Sequence, residues 1–462
     1  MENLLRRVIF LIIVVSIVTI FLAAFVNQGM WWDEAVYLGL GRNIGNGFYS
    51  LERGEMTDTF RPPFFPLLIF PFSESVFLAR MAVAIFSVFA VLATYCMARE
   101  LLGKDGALLA ALFLSTNQLF VFFSTKILSE SLFITFLSLS LLFFLRRARP
   151  MSAFASGVFA AAALMTRYLG TILALSYALW FIWSCIRKRD QKTLREAGLV
   201  TLGFVISILP WLAMSQIYYG SVLGAYLDNL ATYSGAFSTE FSLLFQDVYS
   251  VFGFQIIFVI IGLYAFIKAK KSAYGFLLAC LFLLPLVFFF MAFHREPRYL
   301  LSYMPVYAIF CGKAVEFKRI KIGKKSVNSA RYLASFAIIV CIAALFTGAS
   351  NFWNDRLSGE NLVQASYYLK NMTSNDSVIM TESRPYIFYF AERGAVRFPE
   401  KREDIGEIIK EYNVKFILAY KFEPGNPPYV ADYFRNSPDF KLVKSYEQWG
   451  DPEAVRIYRA IR

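Results

Sequence analysis

Long apolar runs constrain this chain more than any other feature. Crossing roughly 30 Å of bilayer hydrocarbon takes about 20 helical residues, and residues 8–26 and 76–98 supply that length with almost no charge. Further runs occupy residues 107–123, 127–145, 153–166, 169–186, 199–217, 248–267, 274–293, 299–311 and 333–349. They predict a polytopic α-helical membrane protein with about eleven crossings. A transmembrane β-barrel would instead alternate apolar and polar residues in segments of about ten; these runs are apolar on every side. The first run is too long for a signal peptide and lacks a small-residue cleavage site after it, so it reads as a retained helix. With 58% hydrophobic and 17% charged residues, the whole chain departs from the composition of a soluble domain.

Charge then orients the runs. With the N-terminus inside, the cytoplasmic segments hold 22 basic and 6 acidic residues, and the opposite side up to Ser350 holds 8 and 11. The tail from Asn351 onward holds 16 of each. The net charge of +13 thus gathers at the cytoplasmic face, as the positive-inside rule requires, and does not mark a nucleic-acid surface. The expected topology is a multi-pass protein of the plasma membrane with a cytoplasmic N-terminus and an extracytoplasmic C-terminal domain.

Two parts follow, a membrane domain at 1–350 with a long outer loop at 27–75, and an extracytoplasmic domain at 351–462. The tail sets β-like runs at 377–380, 415–419, 441–443 and 454–458 around a helical stretch at 403–412, which predicts a small α/β domain. Another long outer segment, 218–247, is aromatic and serine-rich. The five cysteines lie in or beside apolar runs without metal-ligand spacing and read as packing residues.

The candidate chemistry lies on the outer side. Trp31-Trp32-Asp33-Glu34-Ala35-Val36-Tyr37 puts two carboxylates beside tryptophans at the membrane boundary, where charge is costly. One of them could serve as a general base toward an acceptor hydroxyl. An equally ordinary role is open: Asp33 capping an interfacial helix that runs toward Asn43, with the tryptophans in the aromatic belt. Phe60-Arg61-Pro62-Pro63-Phe64-Phe65-Pro66 is a proline-stiffened return to the membrane, its one arginine suited to a phosphate or to pairing with an acid. Arg80, Lys126 with Glu130, Arg167 with Tyr168, and the His294-Arg295-Glu296-Pro297-Arg298-Tyr299 turn fall at outer helix ends. Snorkelling accounts for any one of them; several cations on the side of a carboxylate pair suit a lipid-linked phosphate.

Asp33-Glu34 in the first outer loop, Arg61-Pro62-Pro63-Phe64-Phe65-Pro66 before the next helix, and Pro297-Arg298-Tyr299-Leu300-Leu301 late in the membrane part together resemble the GT-C membrane glycosyltransferases. Within these, the likeness is to the superfamily of protein O-mannosyltransferases and bacterial aminoarabinose transferases. The resemblance implies a polyprenyl-phosphate-linked sugar as donor, transfer with inversion, and an extracytoplasmic acceptor that is protein, glycan or lipid. It makes Asp33 the catalytic base and Glu34 its acidic neighbour, and it assigns Arg61, Lys126 and Arg298 to the donor phosphate. Glu130, Tyr37, Arg167 and Arg295 then line the acceptor or donor pocket. Glu130 stands where the family usually has an Asp, which is a departure.

No cofactor is indicated. The only histidine is His294, and Asp33-Glu34 alone makes a poor octahedral site, so independence of divalent metal is the expectation. A transporter or lipid flippase is the alternative class. It would carry inverted repeats and helices broken at mid-membrane, whereas the polar residues here gather at outer helix ends.

Overall fold

The computed structural model describes residues 3–51, 61–188, 190–227, 241–268, 274–291, 296–315, 320–322, 325–327, 329–423 and 425–461. Contacts divide the chain into two compact units. One comprises Met1–Val26, Thr59–Leu68 and Phe77–Asn354; the other comprises Asn27–Asp58, Ile69–Val76 and Asp355–Arg462.

In chain order the helices begin α1 Asn3–Val26, α2 Trp32–Gly45, α3 Phe64–Ile69, α4 Val76–Ser115, α5 Gln118–Phe123, α6 Glu130–Leu145, α7 Pro150–Thr166, α8 Gly170–Lys188 and α9 Gln191–Tyr219. The first unit is built from the apolar ones. Among the described residues, six helices are long and apolar enough to cross a bilayer: Asn3–Val26, Val76–Ser115, Gly170–Arg187, Gln191–Tyr219, Phe245–Lys268 and the apolar stretch opening Tyr332–Met372. Glu130–Leu145, Pro150–Thr166 and Gly275–Phe290 are shorter apolar helices. Large apolar side chains stand outward on them, Phe10 at 62% and Phe346 at 71% exposure. Such surfaces suit lipid and are rare on a soluble monomer. This is a multi-pass α-helical membrane protein.

Two expected runs, 76–98 and 107–123, meet in α4, which runs on to Ser115. Its interior is broken at Gly103, whose φ of 70° and ψ of −170° are not helical. Only glycine takes that conformation at little steric cost, so the 40-residue element is two helices joined at a corner. The expected run at 299–311 likewise divides into helices Pro297–Leu301 and Met304–Ala314.

Polar residues buried within this unit fix the approach to α6. Asn117 caps α5, its Oδ1 accepting the Leu119 and Phe120 amides at 3.1 and 3.0 Å. Its Nδ2 donates to Val251 O at 2.7 Å and Gln255 Oε1 at 3.0 Å. Gln255 Nε2 in turn donates to Phe113 O at 3.1 Å. A fully satisfied buried network of this kind holds one arrangement, because each lost partner would strand a polar atom in an apolar interior.

The second unit is an α/β assembly, as the tail pattern predicts. Besides a β1–β2 hairpin, Ile320–Ile322 with Lys325–Val327, in the first unit, the strands are β3 Val378–Met380, β4 Gly394–Val396, β5 Phe416–Tyr420, β6 Phe440–Gln448 and β7 Asp451–Ala460. They order β4-β3-β5-β7-β6. β3 runs parallel to both β4 and β5, and β7 runs antiparallel to β5 and β6. Its core is Met380, Phe398, Ile405, Val414, Ile417, Ala419, Val430, Phe434 and Tyr458. The expected 403–412 helix appears as Ile405–Glu411, preceded by a 3-10 turn. Strand β4 was not expected; three residues with one full-sized apolar side chain give no periodic signal.

Candidate active site

The carboxylate pair opens α2. Glu34 is fully buried, and its Oε2 accepts the Trp31 backbone N–H at 2.8 Å. The capping carboxylate is therefore Glu34, and Asp33 sits one residue earlier in the same first turn, partly exposed. Both lie where the helix dipole favours negative charge. Tyr37, one turn on from Asp33, shares its face of α2 and is buried.

The backbone ahead of this turn is tied to residues more than three hundred positions later. Gln28 N–H donates to Arg356 O at 3.0 Å and Met30 N–H to Ser358 O at 2.7 Å. Trp31 Nε1 donates to Asp355 Oδ2 at 2.9 Å. Tyr386 OH donates to Met30 O at 2.7 Å. Burial raises the Tyr386 hydroxyl well above its ordinary pKa, and the carboxylates of Glu423, Glu34 and Asp33 add to that, with Tyr420. The far end of α2 is held the same way. Arg42 lies 3.2 Å from Glu74 and 3.7 Å from Glu392, donates to Tyr389 O at 2.9 Å, and stacks 4.1 Å from the Tyr389 ring. A cavity of about 340 Å³ opens beside it, lined in part by Arg42, Asn43, Glu74 and Glu392.

Neither Asp355, Tyr386 nor Arg42 was expected from sequence. Their partners are distant along the chain, and a lone tyrosine or arginine in a mixed segment carries no signal by itself.

In the membrane unit the structure brings together Glu130, Arg167 and Arg298. Glu130 begins α6 and is 1% exposed. Arg167, the residue that ends α7, donates Nη1 to Glu130 Oε1 at 2.6 Å and to Ser129 Oγ at 3.0 Å. Arg298 Nη1 lies 4.0 Å from the same Glu130 oxygen, and its guanidinium also pairs with Glu296. The longer carboxylate at position 130 thus gathers two arginines. Lys126 is fully buried in the middle of the α5–α6 connection, its ammonium 5.5 Å from the centre of the Phe122 ring. Arg61, just ahead of α3, is 9% exposed, and Arg80 in α4 is 4% exposed. Arg295 lies outside the described residues, as does the middle of the 218–247 segment. Buried guanidinium and ammonium groups are costly unless they are paired, and Arg167 and Arg298 meet that need through Glu130 and Glu296.

Among the described residues no group of three or more His, Cys, Asp or Glu side chains is placed to hold a metal ion.

A family model described as dolichyl-phosphate-mannose-protein mannosyltransferase matches residues 62–214. No curated protein matches in sequence. Solved structures do match over nearly the whole chain. ArnT from Cupriavidus metallidurans, crystallised with undecaprenyl phosphate, superposes with a TM-score of 0.71 at 13% identity, covering 97% of both chains. The archaeal oligosaccharyltransferase AglB from Archaeoglobus fulgidus, in complex with an inhibitory peptide and a dolichol-phosphate, gives 0.60 at 11% identity, covering 97% of this chain and 75% of that one. The arabinofuranosyltransferase AftD from Mycobacteria gives 0.60 at 14% identity, covering 98% of this chain and 40% of that one. This chain has the GT-C fold of membrane glycosyltransferases.

Proposed function

We propose that this protein transfers a sugar from a polyprenyl-phosphate carrier to an acceptor outside the cytoplasm, with inversion at the anomeric carbon. The observation that carries the reading is the division of labour within one helical turn. Glu34 is buried and committed to the Trp31 amide. Asp33, its neighbour, remains partly exposed in a turn whose dipole favours the carboxylate form. A carboxylate so held can take the proton of an acceptor hydroxyl as that oxygen attacks the sugar carbon.

The bond to the carrier phosphate breaks as the new glycosidic bond forms, and the departing phosphate takes both electrons. Arg61, Lys126 and Arg298 are the cations assigned to that growing charge, which buried donors stabilise more strongly than water-exposed ones. Tyr37, Glu130, Arg167 and Arg295 are assigned to the pocket walls, with Glu130 also keeping Arg167 and Arg298 in position. The mannosyltransferase family match over 62–214 supports the reaction class. The lipid phosphates named with the ArnT and AglB structures support the donor class.

In this reading residues 1–350 carry the transferase and residues 351–462 form the extracytoplasmic domain. The N-terminus is cytoplasmic, and the membrane is the plasma membrane, in keeping with the basic residues gathered on one side. The donor class is tested by giving the purified, lipid-reconstituted protein labelled sugar either on a polyprenyl phosphate or on a nucleotide. Incorporation from the lipid carrier alone is the expected result. Incorporation from the nucleotide sugar without lipid would overturn the donor assignment.

A further inference from the structure

The cavity beside Arg42 takes no part in the chemistry above. Its wall is drawn from three stretches of the sheet-containing unit: the end of α2, with Arg42 and Asn43; Glu74; and the Phe388–Gly394 segment that leads into β4. At about 340 Å³ it lies at the small end of the range for small-molecule sites, about 300–1,000 Å³. Arg42 follows Asp33 by nine residues of continuous helix. That is roughly 13 Å along the axis and half a turn around it, so the cavity and the carboxylate turn are separate places on α2.

The wall leaves particular atoms open. Arg42 donates Nη1 to Tyr389 O, and its Nε is enclosed against Glu74 at 3.2 Å; Nη2 is not enclosed and makes no hydrogen bond among the described residues. Glu392 brings Oε1 to Lys370 Nζ at 2.8 Å and to Arg42 Nη1 at 3.7 Å, which leaves Oε2 open on a side chain 51% exposed. Glu74 is 75% exposed and meets Arg42 through Oε1, so its Oε2 is open as well. Asn43 gives Nδ2 to Ser50 O and Leu51 O at 2.7 and 3.0 Å, leaving Oδ1 as an acceptor. Phe388, half-buried, supplies an apolar ring to the same wall. Glu392 itself stands at φ 54°, a left-handed backbone that glycine occupies at less cost. The chain carries a carboxylate at the rim in spite of that strain.

We propose that this cavity binds a neutral saccharide unit, at a site separate from the carboxylate turn. Its open atoms are the oxygens of Glu74, Glu392 and Asn43 and one guanidinium nitrogen of Arg42, set beside a phenylalanine ring. A hydroxyl both donates and accepts, so several of them on one sugar ring satisfy the three oxygens and Arg42 together. The C–H face of that ring then covers Phe388, the pairing of an apolar platform with a few placed polar groups that binding sites use. Charged ligands fit less well. An anion meets Glu74 and Glu392, and a metal cation meets Arg42 between them. The claim concerns binding and does not rest on the transferase reading above.

The test titrates the full chain in detergent with mannotriose, maltotriose and chitobiose, binding being read by saturation-transfer NMR and folding by thermal melts. Wild type binds at least one of the three. Glu74→Ala, at an exposed position, weakens that binding about tenfold, the effect of losing one hydrogen bond to a charged group. Glu392→Gly removes the rim carboxylate and relaxes the backbone, so it also binds about tenfold more weakly while melting no lower than wild type. Asp33→Asn binds like wild type. No binding by wild type, or unchanged binding in either Glu74→Ala or Glu392→Gly, overturns the proposal. Binding that is lost in Asp33→Asn and kept in Glu74→Ala overturns it too, by putting the sugar at the carboxylate turn. So does a calcium titration in which wild type holds the ion and Glu74→Ala does not, which makes the two glutamates a cation site.

Discussion

The Glu34 carboxylate and the Trp31 amide, 2.8 Å apart, close the first turn of α2 and commit one of two adjacent acids to the backbone. Glutamine in this position can still accept from the same N–H, as it does in other capping boxes. Glu34→Gln is therefore expected to keep near-wild-type stability, whereas Glu34→Ala loses about 1 kcal/mol. Thermal melts of the two variants in one detergent check this. Equal loss in both would mean that the charge of Glu34, and not its hydrogen bond, is what matters.

Gly359 braces the same turn from the other side. Its φ is 77°, and a Cβ placed on it would lie 2.0 Å from Met30 O, the oxygen that also accepts from Tyr386 OH. Gly359→Ala must push the Met30–Asp33 backbone away, and transfer should fall by tenfold or more while the sheet unit stays folded. Tyr386→Phe removes one hydrogen bond without a clash and is expected to be milder. Steady-state rates alongside circular dichroism separate the two.

Glu130 and Arg167 form a buried pair whose partners are 1% and 12% exposed. Removing one partner leaves the other charge stranded, a loss of about 3–5 kcal/mol. Glu130→Ala and Arg167→Ala should each lower the melting temperature markedly, and the double variant by less than their sum. Additive losses in a double-mutant cycle would show that the two do not act as a pair.

Burial holds the Glu423 carboxyl above its ordinary pKa of 4.5; the Ser383 hydrogen bond works against this and Glu382 adds to it. A raised carboxyl gives its full stabilising contribution below the unfolded value and loses it as pH rises through the folded one. Glu423→Gln, which carries no charge to bury, is accordingly expected to melt above wild type at neutral pH, with the gap closing as pH falls toward the ordinary glutamate range. A gap that widens on acidification would reverse the assignment.

Much of this was legible in the sequence because it is periodic. Apolar runs announced the membrane helices, and alternating runs announced β3, β5, β6 and β7. The Trp31–Tyr37 segment stood out as a candidate site because charge at an apolar boundary is expensive. What could not be read is long-range. The Trp31 indole, next to the amide that Glu34 caps, is held by Asp355, 324 residues away. Arg42 finds Glu392 and the Tyr389 carbonyl across 347 residues or more. The corner at Gly103 hides within what composition alone divides into two runs. Glu130 looked like a departure from a short carboxylate, and its reach to Arg167 supplies a physical reason for the extra methylene.

The central claim is that Asp33 takes the acceptor proton. Labelled-sugar transfer from polyprenyl-phosphate donors, measured for wild type and Asp33→Asn at matched folding and expression, tests it most directly. The account predicts a rate loss of about 10²-fold or more with an unchanged melting temperature. Full activity in Asp33→Asn would contradict it.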